Sequence, residues 1–421
     1  MRTKATFNHI LIIAIMCLLM LSMVRILFAF SNEESRISLE IALQTALREN
    51  PELNAIREKI KVASARIDGI ALLGNPKLET ELVGGAHATQ KLELTKAFQL
   101  GGQRGHRRRI ARTQLEKVNA EIAETSRLLT KSVKIAFYEL ALVQEKLKLT
   151  KEVVEHSKQM RDITQFQFKA GDVSLTQANL ANIQLQSALR EATTLESGLQ
   201  LAQLTLNGLM GVPLETACIA MGSLPEKIAP DAFQKLTLDT LKRYALEHRT
   251  DLKSLQLNAR LTEGELSLAK TANIPDLSVG ALAERSTHEN AFGVKFSIPL
   301  PLFDRNRAEI NAAKAQKEVD AAQISNSERQ IVREVIAAFL SLRTTQKILM
   351  FYESDSLKLI NENLKLTRAA YELGEADLLE VILMQNEFIK TRFAYLEALT
   401  AHYKALTELE AAVGTSLELL P

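Results

Sequence analysis

Two short stretches hold the residues best suited to chemistry. "AFQLGGQRGHRRRIA" (97–111) sets paired glycines before a run of arginines, a composition that suits a phosphate cradle or a basic nucleic-acid patch. "YELGEADLLE" (371–380) gathers Glu372, Glu375, Asp377 and Glu380, near enough in sequence for their carboxylates to repel one another and to attract cations. Histidine chemistry finds no support. The seven histidines (9, 87, 106, 156, 248, 288 and 402) are scattered, and none forms an H-E-x-x-H or a paired metal spacing. G-x-S-x-G and Walker-type motifs are absent as well. No enzyme activity, cofactor or metal site is expected.

Composition narrows the choice between the two readings of the glycine–arginine stretch. Lys+Arg number 52 against 50 Asp+Glu in 421 residues, so no overall basic field draws nucleic acid to the chain. Nine prolines, 17 glycines, no tryptophan and 24% charged residues favour helix. Cys17 and Cys218 are the only cysteines, which excludes a disulfide framework and a cysteine-based zinc site. Residues 1–30 read as a secretory signal peptide: Arg2 and Lys4, an apolar core from Ile10 to Val24, then a small polar exit cut near Ala29 to Ser31. A retained signal anchor is the alternative, and Met16 before Cys17 fits a lipoprotein poorly. No other stretch resembles a membrane helix; the longest uncharged window, Ser197 to Leu214, is interrupted by Gln200, Gln203, Asn207 and Pro213. If the mature chain meets a bilayer, it does so through strands.

The elements that must position these residues come from an internal repeat. "ISLEIALQTALRENPEL" (37–53) aligns with "LTLDTLKRYALEHRTDL" (236–252) at an offset of 199, and Pro76 aligns with Pro275 at the same offset. The first repeat spans 31–210 and the second 236–421, with a linker at 211–235. In each, a helix capped by Ser38 or Thr237 runs about 35 residues to the proline. A β-hairpin follows, 77–100 in the first repeat and 276–300 in the second, alternating apolar and polar residues at period two. Lys96 is the exception on the apolar side. Long helices at 104–169 and 305–372 come next. In the first, Leu115, Val118, Ile122, Leu129, Val133, Ala136, Leu140, Val143, Leu147 and Val154 recur at coiled-coil spacing, with Thr125 and Thr150 filling two seam positions. Sixty-six such residues extend roughly 100 Å. Tight turns at Gly171 and Gly374 then lead into return helices at 174–209 and 378–413. The expected fold is mainly α with a small β part: a rod of paired helices with hairpins at one end and turns at the other.

Two hairpins supply four strands, and a membrane barrel needs at least eight to close, so other copies must complete it. The chain resembles the TolC-type outer-membrane efflux proteins over essentially its whole mature length. The resemblance rests on the "ISLEIALQTALRENPEL" opening, the duplicated helix–hairpin–long-helix layout, and the "AGDVSLTQANL" and "LGEADLLEVILMQNE" turns. "FQLGGQRGHRR" is similar to the branch serving cobalt, zinc, cadmium and copper resistance. The resemblance implies a homotrimer with one twelve-stranded barrel in the outer membrane and a helical tunnel in the periplasm. It also implies two partners, a periplasmic adaptor protein and a proton-driven inner-membrane pump, with metal cations or drugs as the exported substrate.

Site assignments follow from both lines. Glu372, Glu375, Asp377 and Glu380, repeated around a symmetric oligomer, would form an acidic ring at a periplasmic gate; the alternative is an ordinary solvated helix tip. Lys169, Gly171, Asp172, Val173, Ser174, Thr176 and Gly374 are the candidate adaptor contacts, although Asp172 and Ser174 also suit helix capping. Gly101, Gly102, Arg104, Gly105, Pro299 and Pro301 read as the hinge between barrel and tunnel, where glycine permits the bend. The arginines there would meet lipid phosphates or neighbouring acids. His87 and His288, in the hairpin loops, could chelate exported metal or be plain loop residues. A periplasmic coiled-coil scaffold leaves the alternating hairpins unexplained, and a nucleic-acid binder conflicts with the signal segment.

Overall fold

The computed structural model describes residues 35–72, 74–84, 88–221, 237–286, 289–353 and 356–417. The signal segment with Cys17 and His9, most of the 211–235 linker, and both His87 and His288 lie outside them. In chain order the elements are β1 (Ser35–Ile37), α1 (Leu39–Glu49), α2 (Pro51–Ala71), β2 (Lys77–Val83), β3 (Thr89–Phe98), α3 (Gln103–Ala170), α4 (Leu175–Met210) and β4 (Cys218–Ala220). The order helix, helix, strand, strand then recurs as α5 (Leu238–His248), α6 (Thr250–Thr271), β5 (Leu277–Ser286) and β6 (Asn290–Ser297). Three helices follow in the described residues: α7 (Arg307–Glu353), α8 (Ser356–Glu372) and α9 (Leu378–Val413). The chain is mainly helical with a small sheet. It forms two compact units.

The first unit comprises the described parts of Met1–Pro51, Leu128–Leu236 and Ala337–Ala411. Its core gathers Ala141, Leu349, Tyr395, Leu396 and Leu399, and a second cluster joins Ala181, Leu378 and Ile382 near the turns. The coiled-coil seam is visible in α3, where Leu129, Val133, Ala136, Leu140, Leu147 and Thr150 are buried. Beyond Thr150 the buried positions become Val153, Ser157 and Thr164 rather than Val154. Between helices of this unit, Lys134 reaches Glu410 at 2.6 Å and Lys404 reaches Glu139 at 2.6 Å. A feature absent from the sequence reading is the parallel pairing of β1 with β4. Gln144 and Gln203 hold β4, accepting from the Ala220 N–H at 3.1 Å and donating to the Cys218 carbonyl at 2.8 Å. Three-residue strands carry too little periodicity to be recognised.

His402 on α9 is 1% exposed, and its Nδ1 has no hydrogen-bond partner among the described residues. Burial lowers its pKa, because the charged ring would be desolvated. A histidine depressed in the folded state takes its proton first when unfolded. Its stabilising contribution is therefore complete above the ordinary histidine pKa and lost as pH falls below about 6.5. His402→Phe is expected to flatten the decline in unfolding midpoint between about pH 7 and about pH 5.5. Identical slopes for both proteins in urea titrations would refute this.

The second unit comprises the described parts of Glu52–Arg127, Thr237–Ile336 and Ala412–Pro421. Leu252, Leu257, Leu261, Ile331 and Val335 are buried in it. Asp320, only 1% exposed, accepts from Thr262 at 2.5 Å, Gln316 at 3.0 Å and Asn258 at 3.2 Å. Neutral donors thus satisfy a buried carboxylate and tie α6 to α7 in one register. The sheet runs β2-β3-β5-β6, antiparallel throughout. Pairing of the two hairpins is through β3 and β5, which leaves β2 and β6 as edges.

The expected continuous opening helices are each broken in two, which corrects the sequence reading. Asn50 separates α1 from α2 and Arg249 separates α5 from α6, both with ψ near 124°. Pro51 disfavours helical backbone at Asn50 and suits the first position of the next helix. Thr250 gives no such push, so side-chain bonding holds the second break. The same device serves both. Asn50 Nδ2 donates to the Leu209 carbonyl at 2.9 Å, two residues before Gly211, and Arg249 Nη1 donates to the Ala412 carbonyl at 3.2 Å, two residues before Gly414. Gly211 and Gly414 both have positive φ, 72° and 92°.

Candidate functional site: paired turns and a two-faced sheet

The turns are built by glycine caps. At the end of α3, Gly171 adopts φ 87°, and the Asp172 N–H donates to the Gln167 carbonyl at 2.9 Å. At the end of α8, Gly374 adopts φ 74°, and the Glu375 N–H donates to the Ala370 carbonyl at 2.8 Å. This left-handed position is one that glycine alone occupies without strain. Ser174 then caps α4 in a capping box: its Oγ accepts from the Gln177 N–H, while its own N–H donates to Gln177 Oε1 at 3.0 Å. Asp377 Oδ1 accepts from the Leu378 N–H at 2.6 Å, starting α9.

The structure brings the two turns together through residues that sequence reasoning missed. Gln177 Nε2 donates to Asp377 Oδ1 at 3.1 Å, so one glutamine completes its own cap and reaches the other turn. Gln184 donates to Asn386 at 3.0 Å, and Gln385 donates to Ser157 at 3.2 Å. Tyr371 donates to Gln167 Oε1 at 3.4 Å. A glutamine three residues after a capping serine was the only signal available for any of these. All four gate candidates, Glu372, Glu375, Asp377 and Glu380, are exposed, and among the described residues none forms a salt bridge. Lys169, Asp172, Ser174 and Thr176 are exposed too, whereas Val173 is half-buried. Phe166 and Leu373 leave most of their surface open beside the turns, an apolar feature off the coiled-coil seam.

The sheet has two unlike faces. Leu78, Leu82, Leu92, Leu94, Phe292, Val294 and Phe296 share one face by register, and all are exposed. The opposite face carries Lys77, Glu79, Glu81, Lys91, Glu93, Glu284 and Lys295. There Lys295 on β6 reaches across β5 to Glu93 on β3 at 2.6 Å. Gly280 stands in the intervening strand, where an added Cβ would come within 2.5 Å of the Thr95 side chain and 2.8 Å of the Leu94 carbonyl.

Below β3 the hinge candidates divide. Gly101 packs against the Thr271 carbonyl, 2.9 Å from where a Cβ would stand, and Gly102 has φ 70°. Gly105 lies inside α3 with open space around it, so neither bending nor close packing requires glycine there, contrary to the sequence reading. Arg104 Nε donates to the Ile70 carbonyl at 3.1 Å. Pro299 and Pro301 lie in the exposed irregular stretch after β6, which ends at Asn306, whose side chain donates to the Ala269 carbonyl at 3.0 Å. No group of three metal-binding side chains occurs among the described residues.

Among the described residues no helix is long and apolar enough to cross a membrane. An exposed apolar sheet face backed by a charged one is the make-up of a protein that meets lipid through strands. Residues 42–212 and 241–415 match the outer membrane efflux protein family, and the chain belongs to it. It is therefore an outer-membrane protein and a passive channel component rather than an enzyme. It is similar to the cobalt-zinc-cadmium resistance protein CzcC of Cupriavidus metallidurans, 24% identical over 390 residues that cover 90% of each chain. Its fold matches the crystal structure of CusC with a TM-score of 0.72 at 17% identity, covering 90% of this chain and 92% of that one. The outer membrane protein VceC of Vibrio cholerae matches with a TM-score of 0.71 at 17% identity, covering 90% and 96%.

Proposed function

We propose that the chain is the exit duct of a tripartite efflux system. Three copies supply twelve strands and close one barrel in the outer membrane, continued by a helical tunnel in the periplasm. An adaptor protein contacts the turns, and a proton-driven inner-membrane pump supplies the energy. The observation that carries this reading is the sheet itself: an exposed apolar face, a charged opposite face, and two edges, β2 and β6, with no partner strand among the described residues. Lipid suits the first, a wet lumen the second, and neighbouring copies the third. A soluble scaffold would have no use for such a sheet. The two-fold sequence repeat fits the recurrence of the element order and of the Asn50 and Arg249 contacts. The likeness to CzcC supports metal cations as substrate, selected by the pump rather than by a wide passive duct.

Extraction from outer-membrane fractions is expected to yield a heat-sensitive trimer on gels; a soluble monomer would sink the duct. The exposed carboxylates near the turns are assigned to the periplasmic gate, where a ring of negative charge favours cations. Glu375→Gln with Asp377→Asn is expected to change single-channel conductance or cation preference in planar bilayers. If both stay as in the parent, the gate lies elsewhere.

A further inference from the structure

The apolar face of the sheet carries one cation away from its hairpin rim, Lys96. It sits in the row Lys96–Val279–Phe296, and no acidic partner for it occurs among the described residues. An ammonium group on a lipid-facing surface needs an anion, and its long stem lets it reach one at the bilayer boundary. The register shows which boundary. Phe98 pairs with Leu277 and Ser297 with Ser278, so β3 and β6 leave the sheet at the same rim, close to Lys96. Both continue into basic chain. Arg107, Arg108, Arg109 and Arg112 on α3 are exposed, with no acidic residue before Glu116. Arg305 and Arg307 follow β6, partly offset by Asp304 and Glu309. Beside them the exposed Leu300, Leu302 and Phe303 extend the apolar surface, Phe303 being fully open.

We propose that this rim is a binding collar for anionic phospholipid, in which Lys96 and the exposed arginines hold headgroup phosphates while Leu300, Leu302 and Phe303 contact acyl chains. The proposal rests on the sheet facing lipid. Charge complementarity selects the occupant: the cations outnumber the acids at this rim, and a basic stretch next to an apolar band fits a negative leaflet surface. It fits a neutral one poorly.

The test uses full-length protein extracted from membranes, delipidated in neutral detergent and titrated with phosphatidylglycerol or phosphatidylcholine, counting bound lipids by native mass spectrometry. Phosphatidylglycerol is expected to bind more tightly, and the preference to shrink as salt is raised. The triple variant Lys96→Gln, Arg108→Gln, Arg109→Gln is expected to weaken phosphatidylglycerol binding by at least about tenfold and to leave phosphatidylcholine unchanged. Returning the cation as Lys96→Arg in that background is expected to recover part of the loss, which a misfolded variant would not do. Equal binding of the two lipids, or an unaffected variant, overturns the collar alone. Failure to recover any chain from membranes overturns the collar together with the lipid-facing sheet.

Discussion

Replacing Arg249 by methionine is expected to destabilise the folded chain by about 3 kcal/mol. Arg249 is 5% exposed and forms two-pronged contacts with Asp251, at 2.6 and 2.9 Å, a 2.7 Å pair with Glu334, and the bond to the Ala412 carbonyl. Removing the guanidinium leaves two partly buried carboxylates without their cation. Since both partners keep some solvent contact, the loss belongs at the low end of the range for broken buried pairs. Arg249→Lys keeps the charge but not the fork, so a smaller loss is expected. The pH dependence has a definite sign. Burial raises the pKa of Asp251 and of Glu334, but hydrogen bonds from Arg249 outweigh it, and both end below the ordinary carboxylate value. Their contribution is thus complete above the unfolded carboxylate range and is lost as pH falls through the depressed values. Without Arg249, burial weighs more heavily against what remains, the Leu252 N–H and the Arg127 charge at Asp251 and the Gln330 bond at Glu334, so both carboxyls take up protons more readily. The gap in urea midpoint between parent and variant should be widest near pH 7 and should narrow below about pH 4. A gap independent of pH would mean that Arg249 acts through packing.

The second large effect is expected at Gly211. A Cβ there would stand 2.6 Å from the Glu49 carbonyl oxygen and 3.1 Å from the Asn50 Cα, and the residue also has positive φ. Backbone cannot move aside as a side-chain tip can. Gly211→Ala is therefore expected to cost about 3 kcal/mol or more, the left-handed penalty and the clash together. Gly414 is the control. It has the same backbone hand, but its nearest neighbour would be 3.7 Å away, at Arg249, so Gly414→Ala should cost only about 1–2 kcal/mol. Equal losses at the two sites in chemical unfolding would refute the close approach as the cause.

These two sites mark the boundary of what the sequence could reveal. Strand alternation exposed the two-faced sheet, because period two survives in Leu78, Leu82, Leu92, Leu94, Val294 and Phe296. Turn chemistry exposed Gly171 and Gly374, since positive φ selects glycine strongly. The break at Arg249 was hidden, because its bonds run to the Ala412 carbonyl and Glu334, far along the chain; the break at Asn50 had a local signal in Pro51, although the bond to the Leu209 carbonyl did not. The link from Gln177 to Asp377 was hidden because it too spans a long stretch of chain. Ser174 was legible as a cap, yet nothing in its neighbourhood announced that its glutamine partner also serves the other turn. Gly105 misled in the opposite direction, its setting beside Gly101 and Gly102 suggesting a need that its open surroundings do not show.

The edges β2 and β6, with no partner strand among the described residues, also set a kinetic demand on biogenesis. A solitary chain presents two rows of unmet backbone donors and acceptors beside bare leucine and phenylalanine, which is the surface most prone to wrong pairing and clumping. If the barrel closes by pairing with other copies, as proposed above, docking with its own kind, at a rate that rises with concentration, must outrun indiscriminate sticking. On that reading, expression level matters to this protein before any substrate does.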